Sequence, residues 1–435
     1  MSGQTFESLC RAGLLEVGDG YRAKNNELGG TGPIFLRSAY LQDNGFMLAN
    51  PERFISNQTV PFGQKLSQLG DVVITTKGNS TGRVGRIRLT EAGAVYSPHL
   101  SYWRSRSPAY IDQAFLYYWA ASEEFRRQLS GMAHSTDMAP YLSLRDQARL
   151  KISLPEISRQ VGIGGILSAL DDKIELNRRM NETLEASARA LFRDWFVDFG
   201  PTRAKTESRP AYLDPDLWSL FPNRFDDQGK PEGWKLSPIS KFCDSITNGG
   251  TPKRDNHLFW QPPEVPWLTS GEVRHPYIID TIQWISQLGL NESSAKWVPP
   301  RSTVVALYGA TAGEIALVGE QVTTNQAICA LVPKCDYEEF NYLALNSSKS
   351  AIVNMARGSA QQNLSRGIIQ DFPVIEPSEG VVSSFSRYVS PLFEKIFSFE
   401  RESRTLAETR DTLLPKLMSG AIRVREAESA VAALC

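Results

Sequence analysis

Ile163, Leu167, Leu170, Ile174, Asn177, Asn181, Leu184, Ala188, Leu191 and Trp195 follow one another at alternating steps of four and three residues. Adding 222 to each number gives Phe385, Val389, Leu392, Ile396, Phe399, Ser403, Leu406, Arg410, Leu413 and Leu417. Eight of the ten positions in each series are apolar, a spacing sustained for longer than an ordinary surface helix needs. It predicts two long helices whose a/d positions form a coiled-coil seam. At 1.5 Å per residue, Ile163 to Trp195 would span roughly 48 Å. Asp171, Asp172, Lys173, Glu175, Arg178 and Arg179 fall between the seam positions of the first helix, and Glu394, Lys395, Glu400, Arg401, Glu402 and Arg404 between those of the second. Such charges mark a solvated face. Pro155 and Pro377 precede the helices, and Gly200-Pro201 and Gly420 follow them. Pro391 and Pro415 lie inside the second series, where each is expected to kink or break the helix. In an antiparallel pairing, one register sets Asn177 beside Ser403, polar against polar, a device that fixes alignment. Asp at Leu170 and Leu392 is expected to disturb this pairing while leaving the flanking modules folded.

The duplication extends upstream of each helix. Asp71-Val-Val-Ile-Thr-Thr-Lys-Gly78-Asn-Ser-Thr-Gly82-Arg-Val-Gly echoes Ser302-Thr-Val-Val-Ala-Leu-Tyr-Gly309-Ala-Thr-Ala-Gly313-Glu-Ile-Ala. Each reads as a β-branched buried strand, a glycine-bounded turn and a second strand. Phe115-Leu-Tyr-Tyr-Trp and Phe340-Asn-Tyr-Leu-Ala suggest a short helix in each copy, and Leu142-Ser143 and Leu364-Ser365 recur beyond it. The chain therefore reads as an α+β protein with two globular domains in tandem pseudo-repeat and two long helices packed as an antiparallel coiled coil. The expected boundaries are 1–154 and 233–377 for the domains, 155–200 and 378–420 for the helices, 201–232 for a linker and 421–435 for a tail.

A length of 435 residues suits two domains with connectors. With 47 Lys and Arg against 48 Asp and Glu, no global field draws the chain to a polyanion or a membrane, so any nucleic-acid contact must use local charge. The five scattered cysteines suit a reducing compartment, and neither a signal peptide nor a long apolar run is evident, which gives an expectation of a cytoplasmic protein. Motifs of self-contained chemistry are missing. There is no phosphate loop, no dinucleotide-binding glycine turn, no G-x-S-x-G elbow and no metal-spaced His or Cys set. Neither Pro262-Pro263 nor Pro299-Pro300 is preceded by the Asn or Asp of an amino-methyltransferase loop. A non-catalytic role, with no metal site, is expected.

Two similar heads tied to paired helices suit a ligand with its own repeat, such as duplex DNA with a major-groove face every ~34 Å. In the first module Lys77, Ser80, Thr81, Arg83, Arg86, Arg104 and Arg106 are candidate contacts, interleaved with Tyr96, Tyr102 and Trp103. In the second they are Lys253 and Arg254 after Gly249-Gly250, then Tyr308, Thr311, Arg357 and Gln361. Cationic side chains neutralise phosphates or reach guanine edges, and hydroxyls and amides supply further hydrogen bonds.

Further matches point to a family. They are Pro231-Glu-Gly-Trp-Lys, Asn248-Gly-Gly-Thr-Pro-Lys-Arg, Val265-Pro-Trp-Leu-Thr-Ser-Gly-Glu-Val, Leu170-Asp-Asp-Lys-Ile-Glu-Leu-Asn, Leu191-Phe-Arg-Asp-Trp-Phe and Leu413-Leu-Pro-Lys-Leu-Met-Ser-Gly-Ala-Ile-Arg-Val. In combination the chain resembles the specificity subunit of type I restriction–modification systems. One departure is the start of the first module, Leu14-Leu-Glu-Val-Gly-Asp-Gly-Tyr, which lacks the Gly-Gly-Thr-Pro turn of the second. The resemblance implies two target-recognition domains, each reading half of a split, asymmetric double-stranded DNA site. It implies helices that dock two modification (methyltransferase) subunits, which use S-adenosylmethionine to methylate adenine N6, and restriction subunits that use ATP and Mg2+. It implies defence against foreign DNA, with no cofactor and no catalysis in this chain. The competing reading is a non-catalytic coiled-coil scaffold with peptide-binding modules.

Overall fold

The computed structural model describes residues 3–42, 45–55, 60–133, 140–357 and 363–432. They divide into two units, Met1–Ile174 with Thr405–Cys435, and Glu175–Arg404. Two long helices, Ile157–Phe196 and Glu379–Ser419, each begin in one unit and end in the other.

In the first unit a β-branched run, Val72–Thr75, is buried throughout and so forms an interior strand. It lies between Leu100–Ser105 and Val84–Arg86, with Leu15–Asp19 at the far edge, all antiparallel. A parallel pair, Phe35–Leu36 with Val95–Tyr96, and an antiparallel pair, Gln4–Thr5 with Lys151–Ile152, complete the frame. The helix Gln113–Ala120 starts where the Asp112 carboxylate accepts a hydrogen bond from Phe115 N at 2.7 Å. Its buried face joins Phe6, Trp103, Trp119 and Phe125 in an aromatic core, with Phe6 and Trp103 edge to face at 5.0 Å.

The second unit repeats this plan with additions. Thr303–Ala306 lies between Ile328–Pro333 and Ile315–Val318, with Cys243–Asn248 at the far edge. Tyr277–Ile278 adds a parallel fifth strand. The parallel pair has its counterpart in Val265–Leu268 with Val322–Thr324, and the outer pair in Lys235–Pro238 with Pro373–Glu376. Tyr21 N bonds to Tyr96 O at 2.6 Å, and Gly250 N to Thr324 O at 2.9 Å, so the chain leaves the edge strand the same way in both copies. The first module thus builds this exit without the Gly-Gly-Thr-Pro sequence.

The expected strand–turn–strand units and short helices are present in both copies, the latter at Gln113–Ala120 and Glu338–Ser347. Ser143 and Ser365 cap equivalent helices, accepting from Asp146 N at 3.1 Å and Ile368 N at 3.2 Å. Between the strands, Gly82 (φ +91°) and Gly313 (φ +84°) hold left-handed conformations. A Cβ at Gly82 would meet Leu129 Cδ2 at 2.1 Å, and one at Gly313 would meet Val353 Cγ2 at 2.6 Å. Those leucine and valine tips can yield, whereas the backbone angle cannot. Gly82→Ala is therefore expected to destabilise the first unit by about 1–2 kcal/mol in chemical denaturation.

The helices pair antiparallel within each unit. In the first, Arg159 Nη2 bonds to Leu417 O at 3.0 Å and Arg410 Nη1 to Asp171 Oδ1 at 2.7 Å. Ile163, Leu167, Leu170, Leu406, Leu413 and Leu417 are buried there with the domain's own core, and Ile174 packs against it. In the second, Asn177 Nδ2 lies 3.3 Å from Ser403 Oγ, as the polar register predicts, and also donates to Glu402 at 2.7 Å. Asn181 donates to Glu400 at 2.7 Å, and burial holds the Glu400 carboxyl above its usual range. Val389 and Ile396 are buried, Leu184, Leu191 and Leu392 pack against the same core, and Phe399 is half-buried.

Two expectations need correction. The helix Glu379–Ser419 runs on through Pro391 and Pro415 without a break. Both prolines are exposed, while Val389, Phe393, Leu413 and Leu417 beside them are buried, so packing on the opposite face outweighs the lost hydrogen bonds. Leu170, 1% exposed, belongs to the core of the first unit, so Asp there would damage that unit itself rather than only the helix pairing. Gly200-Pro201 follows the end of the first long helix at Phe196, as expected, and opens a further helix, Gly200–Thr206. Beyond it, Leu217 and Phe221, from the stretch whose composition suggests a linker, are buried in the second unit's core.

Candidate nucleic-acid interface

The basic cluster of the first module separates into side chains spent on the fold and side chains left outside. Arg104 is 4% exposed and holds Asp71 in a bidentate pair along one edge, Nε to Oδ1 at 2.7 Å and Nη2 to Oδ2 at 2.6 Å. Tyr96 donates to the same carboxylate at 2.6 Å, and Tyr102 donates to Glu16 at 2.8 Å. Burial first, and then these carboxylates, push both phenols far up from their ordinary values. With Trp103 fully buried, the aromatics that alternate with the basic residues are core, not a base-stacking surface. Arg104 is therefore not placed to meet a phosphate, contrary to expectation.

Arg86 donates to Ser168 Oγ at 2.9 Å and pairs with Asp172 at 3.1 Å. Arg106 pairs with Glu16 and bonds Gln64 at 2.8 Å, and Arg83 donates to Leu41 O at 2.9 Å. Thr81 spends its hydroxyl on Gly78 O at 2.7 Å and Pro140 O at 3.0 Å, which ties the turn down. Ser80 is half-buried and its carbonyl accepts from the Thr75 hydroxyl. Lys77 is exposed at the hairpin tip, bridged through its backbone to Tyr141. Tyr141, 55% exposed, was not singled out by charge, yet the recurring Leu142-Ser143 and Leu364-Ser365 mark its place.

In the second module Lys253 and Arg254 are both exposed. The Arg254 guanidinium lies over Trp260 at 4.0 Å and Trp267 at 5.0 Å and donates to Gln283 at 2.9 Å. It is held over the two rings while the residue as a whole stays exposed. Trp267 Nε1 donates to Gly250 O at 3.0 Å, which anchors the preceding turn. Tyr308 is 41% exposed, whereas Thr311 is buried and turns its hydroxyl to Tyr308 O at 3.3 Å. Arg357 is the last residue of the helix Lys349–Arg357, and Gln361 lies outside the described residues.

The exposed candidates, Lys77 in the first unit and Lys253, Arg254 and Tyr308 in the second, offer cationic and aromatic groups that suit hydrogen bonding and stacking. Among the described residues no three His, Cys, Asp or Glu side chains gather as metal ligands, and no helix is long and apolar enough to cross a membrane.

Comparison with known proteins agrees with the duplicated plan. The sequence pattern of the type I restriction modification DNA specificity domain matches residues 12–186 and again 231–381. The chain is 30% identical over 356 residues to the type I restriction enzyme HindI specificity subunit of Haemophilus influenzae, covering 71% of this chain and 77% of that one. It is 24% identical over 316 residues to the MjaIX specificity subunit of Methanocaldococcus jannaschii, covering 72% and 69%. In fold it is similar to the crystal structure of the type I restriction–modification S subunit from M. genitalium, with a TM-score of 0.57, 16% identity and 95% of each chain covered. With two copies of the matching domain filling most of its length, the chain belongs to the type I restriction–modification DNA specificity family.

Proposed function

We propose that this DNA specificity subunit reads a bipartite, asymmetric site, one half with each α+β module. The observation that carries this reading is one strand order, hairpin and capped helix built twice, with unlike exposed side chains. A duplicated frame with divergent surfaces suits two different half-sites better than one repeated half-site. On this reading the paired helices set the length of the unread spacer. On this reading Lys77, Lys253 and Arg254, exposed to solvent, and the exposed Tyr308 are the principal contacts, while Ser80, Thr81, Arg83, Arg86, Arg106 and Thr311 shape or flank the surface; Arg357 and Gln361 remain proposed contacts on sequence alone.

The covalent chemistry belongs to partners. Two modification subunits dock on the helix pair and methylate adenine N6 with S-adenosylmethionine, and restriction subunits act with ATP and Mg2+. The assembly works in the cytoplasm, where it meets incoming DNA.

Footprinting of the chain in complex with its modification subunits tests the reading. Two protected segments separated by an unread stretch are expected, with affinity falling steeply as salt rises, because phosphate contacts release counterions. A single uninterrupted footprint would contradict the bipartite reading. Binding indifferent to salt would favour the peptide-binding scaffold instead.

A further inference from the structure

We infer that the tip of the duplicated hairpin is the base-reading position of each module, with Lys77 reading a guanine in one half-site and Tyr308 a thymine in the other. This inference rests on the bipartite reading and assigns it to one pair of equivalent residues.

Equivalence comes first. Gly82 N bonds to Thr75 O at 2.8 Å and Gly313 N to Ala306 O at 2.9 Å. Within the turn, Arg83 N bonds to Ser80 O at 3.0 Å and Glu314 N to Thr311 O at 2.9 Å. Beside it, Leu142 N bonds to Thr76 O at 2.9 Å and Leu364 N to Leu307 O at 2.8 Å. The residue after Thr76 and the residue after Leu307 are Lys77 and Tyr308, so the two occupy one place in one frame.

That frame holds itself without their side chains. The hydroxyls of Thr81 and Thr311 bond back into the turn, and Gly82 and Gly313 lie against Leu129 and Val353. A rigid support with a free tip is what precise readout requires, because ordering cost is low when the reader is already positioned. Lys77 is exposed and its ammonium takes part in no ion pair among the described residues, whereas Arg86, Arg104 and Arg106 are each paired with a carboxylate. Tyr308 is likewise turned to solvent, although an aromatic ring gains by burial.

The shape fits as well. The major groove admits a two-stranded ribbon, and there guanine offers the O6 and N7 acceptors to a cation, while thymine offers a methyl group to an apolar face. The two tips differ in that respect. One carries a lysine whose backbone is bridged to Tyr141, and the other carries a tyrosine. A change of chemistry on an unchanged backbone is how one scaffold would come to read two sequences.

Lys77→Met and Tyr308→Ser, in the complex with modification subunits, test this on duplexes carrying every single-base change of the bipartite site. Melting curves are taken alongside, and exposure of both side chains makes unchanged melting the expectation. Lys77→Met should erase discrimination at one guanine by about 5- to 150-fold in Kd and leave the other half-site untouched. Tyr308→Ser should do the same at one thymine of the other half-site, with a smaller factor. Full discrimination kept by both folded variants would overturn the inference. So would a uniform loss across all sequences with a shallower salt slope, the mark of a phosphate contact. If Lys77→Met lowers the melting point, Lys77→Gln, which keeps a polar tip, is read in its place by the same criteria. A wild-type site with no unread spacer would instead remove the bipartite reading beneath it.

Discussion

Asp71→Ala is expected to destabilise the first unit by about 3–5 kcal/mol, the largest loss for any single substitution considered, because it strands a buried cation. Asp71 is 1% exposed and Arg104 4%, and the carboxylate accepts from Nε and Nη2 of the guanidinium together with the Tyr96 hydroxyl. Removing it leaves Arg104 with Gln64 at 3.3 Å, Leu66 O at 3.1 Å and the more distant Glu16 at 3.8 Å. Asp71→Asn, which keeps acceptor and shape but not charge, should lose less. Chemical denaturation of the full chain checks the ranking. A loss below ~1 kcal/mol for Asp71→Ala would mean that the pair is hydrated, in the manner of a surface ion pair. Recognition of only one half-site should fail in the variant, since the second unit contains neither residue.

The second large effect concerns the helices. Deleting residues 175–181 together with 399–405 removes one heptad from each, along with the pairs of Asn177 with Ser403 and Asn181 with Glu400. Seven residues shorten a helix by roughly 10 Å and turn it by only ~20°, so the buried faces on either side stay in register. The spacer between half-sites should contract by about three base pairs at 3.4 Å each, with the half-site sequences unchanged. Methylation mapping reads both quantities at once. An unaltered spacer would show that the helices do not set it.

Much of this was legible in the residues. The four-three spacing located both helices, and Asn177, set against Ser403, located their register, because an amide in an apolar seam needs a partner; the pairing of Asn181 with Glu400 emerged only in the structure. The glycine-bounded hairpins were legible because only glycine fits their left-handed positions. Pro391 and Pro415 misled, since sequence shows a missing donor but not which side of the helix faces solvent. The basic cluster misled in a similar way. Arg104 and Lys77 carry the same charge, and what separates them is Asp71, which lies thirty-three residues from Arg104 and opposite it only once the sheet has formed. Tyr141 escaped notice because exposure is a property of the folded chain.

Recognition of a split site is tested most directly by the adenine-methylation pattern of DNA from cells that make this chain with its modification subunit, compared with cells lacking the chain. One motif in two unlike parts is expected, separated by bases that vary freely from site to site. An uninterrupted motif, or a pattern unchanged when the chain is absent, would contradict recognition of a split site by this chain.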